Sequence, residues 1–527
     1  MPAQQGIVTI VGAGPGDAGL LTVRGRALID SADAIVYDAF VNREILPASA
    51  RTSGSPELYY VGTRGEPGGK RRAVPQDEVR QLLVTLVRQG KRVVHLTADD
   101  PFVFGHGGEE AQAMHDAGIP FEIVPGVTAG VAAPAYAGIP VTHPGLATAV
   151  TFVTGRDDPE AEEKSGATTD WRALAQVGGT IVVYRGLSLL PVIAKEMMAG
   201  GLPGEIPAAA IRAGTRTEQR TVVATLETLA HEAALAGVTG RATVVIGWSV
   251  ILRDEIAWFD TRPLFGKRIV LAQAGAESVT LQERLCGLGA DVVAIPTPPV
   301  ARLDLVPLRE DIERLGSYAW IVFATPDAVA LFWEQLLVTG RDTRALAGVK
   351  VCAAGGATAA SLLDRGVTVD VLPSRFEVLA LLDVLSRRSD VSGAHMLYVC
   401  DDGDDNVLPD GLTTLGADVI IRPVYRYLPG GAGGERIRRR LERGTVDLVV
   451  FTSPASVSRY LRAVGEEMGA RAPAAVSDEA TADAARRAGI EVVAETMSID
   501  DRGVSDGSHA PVHGFIDTIV RALKTAS

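Results

Sequence analysis

Three stretches in the C-terminal half of this chain recur in the same order and at nearly the same separation. "LGADVVAIP" begins at Leu288 and "LGADVIIRP" at Leu415, "WIVFATPDAV" begins at Trp320 and "LVVFTSPASV" at Leu448, and "ATAASLLDRGVTV" begins at Ala357 and "ATADAARRAGIEV" at Ala480. In the third pair, Thr358 and Thr481 stand equally far ahead of the helix-ending glycines Gly366 and Gly489. The separation is far longer than a solenoid period, so the repeat predicts two similar α/β lobes rather than a stack of small units. Duplicated lobes are a common way to build a ligand cleft.

The N-terminal half reads as α/β by a different signal. Apolar strands, "IVTIV", "AIVY", "RVVHL" and "FEIV", alternate with amphipathic stretches such as "QDEVRQLLVTLVRQG" and "GEEAQAMHDAG", in which Gly90 and Gly118 act as stops. Around 253–266 the rhythm breaks in "RDEIAWFDTRPLFG", and the strand "RIVLA" follows at once. The expected division is therefore 1–255, a linker at 256–265, and 266–527. With 527 residues, 47% of them hydrophobic and 22% charged, the chain can bury more than one sizeable core.

Composition excludes several classes. A net charge of −13 argues against an extended basic face for nucleic acid or an anionic membrane. The N-terminus lacks a basic and apolar leader, and no apolar run reaches spanning length, so a cytoplasmic protein is expected. Cys286, Cys352 and Cys400 form no C-x-x-C and are expected to be buried and inert. The eight histidines are scattered, and Pro511 interrupts the pair His509 and His513, so no metal site is expected.

The opening "IVTIVGAGPGDAGLLT" (7–22) is a strand that breaks into glycines and then turns helical. A G-x-G-x-x-G dinucleotide fingerprint needs a third glycine where Asp17 stands, so the fingerprint fails. An acid at that point disfavours a diphosphate and tolerates a cationic or hydroxyl-bearing ligand such as a sulfonium nucleoside. From the glycines alone, a plain structural turn and a nucleotide-like cofactor site both stand.

Five motifs widen the view: "VGAGPGDAGLLT", "DAIVYDAFV", "DDPFVFGHGGEE", "VPGVTAGVAAPAYAGIPVTH" and "IRAGTRTEQR". In this order, over roughly residues 6 to 250, they resemble the uroporphyrinogen-III C-methyltransferase family of tetrapyrrole methylases. The resemblance implies two α/β subdomains, S-adenosylmethionine as cofactor, methylation of uroporphyrinogen III at two carbons to precorrin-2, and a homodimer formed through this half. Position by position it places cofactor contacts at Pro15, Ala98, Asp99, Asp100, Val103, Thr128, Ala129, Arg185 and Gly214, and a proton-accepting base at Asp38. It places substrate contacts at Arg64, His106 and Glu109, and Arg156, a cation new to the pattern, is expected to join them by gripping carboxylates. The chain departs from the family pattern where Ala98 and Asp99 replace two glycines, Thr63 a lysine, His106 an arginine, Pro144 an arginine and Arg185 a methionine.

Residues 266 to 524 resemble uroporphyrinogen-III synthase in "PLFGKRIVLAQA", "WIVFATPDAV", "AAGGATAASLLDRGV", "IRPVYRY", "DLVVFTSPASV" and "ATADAARRAGI". This implies two α/β lobes, about 266–302 with 430–527 and 303–427, closing hydroxymethylbilane to uroporphyrinogen III without a cofactor. The implied acid is Tyr425, with Tyr427 as its same-face neighbour. Thr325, Thr358, Ser453 and Thr481 are expected at strand-to-helix turns as hydroxyl donors to the substrate carboxylates. Other readings remain open: a methylase half that only binds or regulates, an NAD-type oxidoreductase using Asp38 for the ribose, and duplicated lobes that bind a ligand without catalysis. The leading expectation is a fused enzyme acting on small tetrapyrroles, with no nucleic-acid or membrane partner.

Overall fold

The computed structural model describes residues 6–47, 56–64, 72–155, 169–272, 276–295, 300–372, 378–403, 407–427, 432–496 and 510–525. The chain divides into two compact units, Met1–Gly266 and Lys267–Ser527. Among the described residues no helix is long and apolar enough to cross a membrane.

The first unit begins with β1 (Ile7–Gly12), β2 (Ala34–Tyr37), β3 (Glu57–Tyr60), a short antiparallel pair β4 (Thr63–Arg64) and β5 (Arg72–Ala73), β6 (Arg92–Thr97) and β7 (Phe121–Val124). Five of these form a sheet in the order β3-β2-β6-β1-β7, with every pairing parallel. The strands are almost continuously apolar because helices cover both faces. On one face Val8, Ile10 and Val93 meet Leu83 and Leu86 of α2 (Gln76–Arg88) and Met114 of α3 (Gly107–Asp116). On the other, Val11, Ile35 and Leu96 meet Ile29 of α1 (Val23–Ser31). β1 connects towards β2 and β6 connects the opposite way, towards β7, which leaves a crevice at the carboxyl ends of the two central strands.

The second sheet of this unit holds β8 (Val150–Thr154), β9 (Thr180–Tyr184), β10 (Pro207–Arg212), β11 (Arg220–Thr225) and β12 (Ala242–Ile246) in the order β11-β10-β12-β9-β8. Only β8 and β9 pair in parallel. Helix α4 (Ala129–Tyr136) packs on this sheet through Ala133, beside Val182, Tyr184 and Ile211.

A closed ring of hydrogen bonds joins three segments around α4. The Tyr136 hydroxyl donates to Asp17 Oδ2 (2.7 Å), Asp17 N donates to Thr215 Oγ1 (3.1 Å), Thr215 N to Gln219 Oε1 (3.0 Å), and Gln219 Nε2 to the Tyr136 carbonyl (3.3 Å). Burial first, and then the Asp17 carboxylate, hold the Tyr136 hydroxyl far above its ordinary pKa, so it stays a donor. Asp17 is thus a fastener between loops.

The stretch 256–265, expected to be a linker, is instead packed into the first unit. Phe259 and Leu264 are buried, Tyr136, Trp258, Phe259 and Phe265 form a chain of ring contacts, and Trp258 Nε1 donates to the Ala135 carbonyl (2.9 Å). Arg262 lies over the Trp258 ring, and Arg253 pairs with Asp260 at 2.6 Å. The aromatics that break the sequence rhythm are there to bury surface.

The second unit contains β13 (Arg268–Leu271), β14 (Asp291–Ala294), β15 (Val300–Arg302), β16 (Trp320–Phe323), β17 (Lys350–Ala353), β18 (His395–Asp401), β19 (Asp418–Tyr427), β20 (Leu448–Phe451), β21 (Ala474–Val476) and β22 (Val492–Glu495). They form two sheets, β14-β13-β20-β21-β22 and β15-β19-β18-β16-β17. The sequence repeat now has a structural meaning. β13, helix Ala276–Gly287 and β14 recur as β18, helix Val407–Thr414 and β19; β16, helix Pro326–Val338, β17 and helix Gly356–Leu363 recur as β20, helix Pro454–Val464, β21 and helix Glu479–Arg487. The strand order β14-β13-β20-β21 in one sheet matches β19-β18-β16-β17 in the other. Each sheet therefore takes its first part from one copy of the repeat and its second part from the other.

Two sequence expectations change here. The lobe division at 302/303 falls too late, because Val300–Arg302 pairs antiparallel with Tyr425–Tyr427 and belongs to the second sheet. Cys352 and Cys400 are buried, with burial pushing the Cys352 thiol up to about 12, but Cys286 is exposed on the outer side of its helix. For the ring around α4, Tyr136→Phe should lower the stability of the first unit by about 0.5–1.5 kcal/mol, since it strips a half-buried carboxylate oxygen of its donor. Thermal unfolding followed by circular dichroism measures this, and an unchanged midpoint would show the ring to be idle.

Candidate functional site

The loops after β1 and β6 meet backbone to backbone. Gly14 N donates to the Asp99 carbonyl (3.2 Å) and Asp99 N donates to the Gly14 carbonyl (2.9 Å). A third loop, after β7, closes on them so tightly that a Cβ on Gly12 would stand 2.5 Å from Gly126 N and one on Gly126 would stand 2.3 Å from the Asp99 carbonyl. Glycine is required at both positions for close approach. Asp100 locks the arrangement: Oδ1 accepts from Phe102 N (2.8 Å) and Oδ2 from Gly126 N (3.0 Å).

The N-terminus of α4 points into the same crevice and is capped by Tyr184 from the end of β9. The Gly130 N–H donates to the Tyr184 hydroxyl (2.8 Å), which is also 2.7 Å from Thr128 Oγ1, and a Cβ on Gly130 would lie 2.2 Å from that hydroxyl. Burial raises the Tyr184 pKa, with Thr128 and the Gly130 amide pulling it down. Gly214 is needed for the same reason as Gly130, since its Cβ would stand 2.4 Å from the Ala133 Cβ.

Backbone strain collects around this crevice. Among the described residues five non-glycine residues have left-handed φ: Asp99 (60°), Phe104 (52°), Arg185 (57°), Ala213 (50°) and Thr215 (69°). All five follow β6, β9 or β10 in the first unit. Such conformations cost on the order of 1 kcal/mol or more each and persist where function over-determines the backbone. Two polar atoms in the β6 loop are also buried with no hydrogen-bond partner, Thr97 Oγ1 and Asp99 Oδ1. Burial is the main cause that lifts the Asp99 carboxyl to about 6; the Ala129 amide and the Arg185 charge oppose it, Asp38 adds to it, and Arg241 opposes it.

The structure thus brings Pro15, Ala98, Asp99, Asp100, Thr128, Ala129, Arg185 and Gly214 to one crevice, and Val103 packs beside Ala129 and Phe152 at its wall. Asp100 is spent on backbone amides, Arg185 is exposed, and Asp99 is the carboxylate left over. Asp38 follows β2, with Oδ1 accepting from Phe40 N (2.7 Å) and Val41 N (3.1 Å), and its charge is felt at Asp99. His106 and Glu109 are exposed and bond each other (2.7 Å). Arg64 lies in β4 but its side chain, like that of Thr63, is outside the described residues, and so is Arg156 altogether. Sequence reasoning missed the hydroxyl of Tyr184 as a helix cap and Thr97 as an open polar group. The signal available for Tyr184 was a tyrosine ending an apolar strand, which needs a partner when buried.

In the second unit the hydroxyls of Thr325, Thr358 and Thr481 are spent within the chain, while that of Ser453 only accepts. Thr325 caps helix Pro326–Val338, accepting from Ala328 N (3.1 Å), and Ser453 forms a capping box with Ser456. Thr358 and Thr481 are not at the turns but inside the first helical turn, fully buried; Thr358 Oγ1 donates to the Ala324 carbonyl (3.4 Å) and Thr481 Oγ1 to Asp478 Oδ1 (2.8 Å). Gly355 and Asp478 are the actual N-caps, with nearly identical backbone angles, which explains the acid at 478 as a cap.

Tyr425 is fully buried. Its hydroxyl sits 2.8 Å from Thr325 Oγ1 and donates to the Tyr427 hydroxyl (3.1 Å), which donates in turn to Asp327 Oδ2 (3.4 Å). Burial raises both tyrosines and Asp327; Asp327 and Asp401 raise Tyr427 further while Arg459 lowers it. Tyr427, half-buried, is the more exposed of the two tyrosines and hands the chain on to Asp327.

Residues 8–230 match the family model for tetrapyrrole (corrin/porphyrin) methylases and residues 279–501 that for uroporphyrinogen-III synthase. The chain is 32% identical over 507 residues to the porphyrin biosynthesis protein HemD of Ruminiclostridium josui, covering 94% of this chain and 97% of that one. It is 35% identical over 373 residues to the uroporphyrinogen-III C-methyltransferase of Bacillus subtilis (strain 168), covering 71% and 74%. A solved uroporphyrin-III C-methyltransferase from Thermus thermophilus, complexed with S-adenosylhomocysteine, shares 32% identity and covers 47% of this chain and all of that one, with a TM-score of 0.38. Two α/β units with these matches define an enzyme of tetrapyrrole biosynthesis. The chain belongs to the family in which a tetrapyrrole methylase is fused to a uroporphyrinogen-III synthase.

Because the folded pKa of Asp99 is raised, its charge destabilises the fold above about pH 6, and the penalty fades as pH falls towards the unfolded value of 3.8. Asp99→Gly removes both this and the left-handed strain. It should raise stability by about 1–3 kcal/mol at pH 7.5 and by less at pH 4, read as the shift in unfolding midpoint.

Proposed function

We propose that the second unit closes hydroxymethylbilane to uroporphyrinogen III and the first methylates that product at two carbons with S-adenosylmethionine, giving precorrin-2. The observation that carries the cofactor reading is the crevice itself: glycine-only contacts, five strained loop residues and two buried, unpartnered polar atoms at one point. These residues fit the cofactor, because Thr97 and Asp99 can meet hydroxyl or cationic donors and the small, half-buried Ala129 leaves the head of α4 open.

When bound, S-adenosylmethionine supplies a methyl group on a positively charged sulfur. Pro15, Ala98, Thr128, Ala129 and Gly214 hold it through a backbone that cannot relax, which serves the in-line positioning on which methyl transfer depends. The new bond uses the electron pair of the pyrrole carbon, and a proton must then leave the macrocycle. Asp38, held at the end of β2 by the amides of Phe40 and Val41, takes it. The exposed Arg185, with Arg64, His106, Glu109 and Arg156, engages the acceptor's rim, where guanidinium groups pair with carboxylates.

In the second unit the paired hydroxyls of Tyr425 and Tyr427 serve as the acid for the departing hydroxyl, with Tyr427 passing the proton outward and Thr325 and Asp327 fixing the pair. No cofactor is assigned to this half; Thr358 and Thr481 support its helices, while the Ser453 hydroxyl, which accepts in its capping box, keeps its hydrogen for the substrate. The enzyme is taken to work in the cytoplasm as a homodimer through its methylase unit, which sedimentation equilibrium tests directly.

Incubation of the full chain with hydroxymethylbilane and methyl-labelled S-adenosylmethionine should put two labels into the tetrapyrrole. Uroporphyrinogen III without label would reduce the first unit to a binding or regulatory module. Asp38→Asn should slow methyl transfer by about 100-fold, read as single-turnover rate at saturating donor. Tyr427→Phe should slow formation of uroporphyrinogen III about as much as Tyr425→Phe, measured by product chromatography, and a normal rate in Tyr427→Phe would remove it from the pathway of the proton.

A further inference from the structure

We propose that the Asp99 carboxylate is the counter-charge for the sulfonium of the methyl donor, so that the crevice holds the charged donor in preference to its neutral, demethylated product. The inference rests on the S-adenosylmethionine reading and assigns this chain's own side chain a part in it.

Asp99 occupies a costly place. Its φ of 60° is one that glycine adopts without strain, and its backbone is pinned on both sides by Gly14 and roofed by Gly126. A residue held there against its preference is retained for its side chain. Beyond the Ala129 amide that faces it, that side chain holds nothing together: Asp100 already ties the β6 loop to the β7 loop, and Asp99 Oδ1 is buried without a partner. A buried carboxylate accepts only, so what is missing is a donor or a positive charge.

The surroundings favour the charge. From the end of β2 Asp38 adds a second negative charge, from the end of β9 Arg185 and from ahead of β12 Arg241 oppose it, and the Ala129 amide at the head of α4 points at it. Asp100 and the Tyr184 hydroxyl complete the titratable groups around it. These cations do not offset burial, since the carboxyl is left near 6. A monocation beside Oδ1 completes the balance, and the sulfonium is the feature that donor and product do not share. On transfer the carbon–sulfur bond breaks with its electron pair left on sulfur, the charge vanishes, and the attraction to Asp99 vanishes with it. The product is then released more readily than the donor.

Isothermal titration calorimetry on the full chain, with S-adenosylmethionine and S-adenosylhomocysteine as separate probes, tests this in the native protein, Asp99→Asn and Asp99→Gly. Glycine suits the backbone, so the second variant guards against misfolding in the first. The native protein should bind the charged probe more tightly, and the ratio of the two affinities should fall about tenfold in both variants. In the native protein the ratio should also fall between pH 7.5 and pH 5, as Asp99 takes up a proton, and stay flat in both variants. An equal loss for both probes would overturn the inference and move Asp99 to a group they share, such as a ribose hydroxyl; an unchanged ratio would also overturn it. Binding of neither probe to the native protein would remove the donor site itself, a failure distinct from the other two.

Discussion

The methylase unit depends on one close approach: the loops after β1, β6 and β7 touching through backbone atoms, with no side chains between them. Two glycines permit it and the paired hydrogen bonds of Gly14 and Asp99 fix it. Everything else in the crevice is set by that contact. It turns the β6 loop left-handed at Asp99, aims the head of α4 into the opening and leaves Tyr184 as the natural cap. The strain is local because the two sheets on either side are ordinary, with apolar strands covered by amphipathic helices, and they can carry a few kcal/mol stored between them.

Much of this was legible in the sequence. The repeat in the second half exposed the two lobes because strand-to-helix turns have strong local rules, and "WIVFATPDAV" and "LVVFTSPASV" obey the same ones. The crevice was legible as a set of small residues after strands. What sequence could not show was how polar groups are spent. Asp17, Asp100, Asp478, Thr358 and Thr481 all carry side chains that suit a ligand, and each is consumed by a backbone amide, a carbonyl or a neighbouring side chain brought in by the fold. Composition counts donors and acceptors; only packing pairs them. Asp99 is informative by the same logic, since it remains after the pairing is complete.

The segment at 256–265 teaches a related lesson. Charges, a proline and a glycine in a row resemble a linker, yet Trp258 and Phe259 pack against Tyr136, and Phe265 against Phe259, and these contacts outweigh them. Breaks in periodicity mark the end of a pattern, while aromatic content decides whether the broken stretch is solvated or packed. The lobe boundary at Val300–Arg302 was missed for a comparable reason: three residues carry no periodicity, and only their antiparallel partner on β19 assigns them.

The two copies of the repeat are interlaced. One sheet is assembled from an uninterrupted stretch of chain, β15 to β19, whereas the other joins β13 and β14 to strands that begin only at Leu448. During synthesis the contiguous lobe has all its strands to hand, while its counterpart waits as an open, apolar edge until the far end of the polypeptide arrives. By the same token a single copy, separated from its twin, holds half of each sheet and completes neither, so a primordial version built from one copy would have had to exchange halves with a sister molecule.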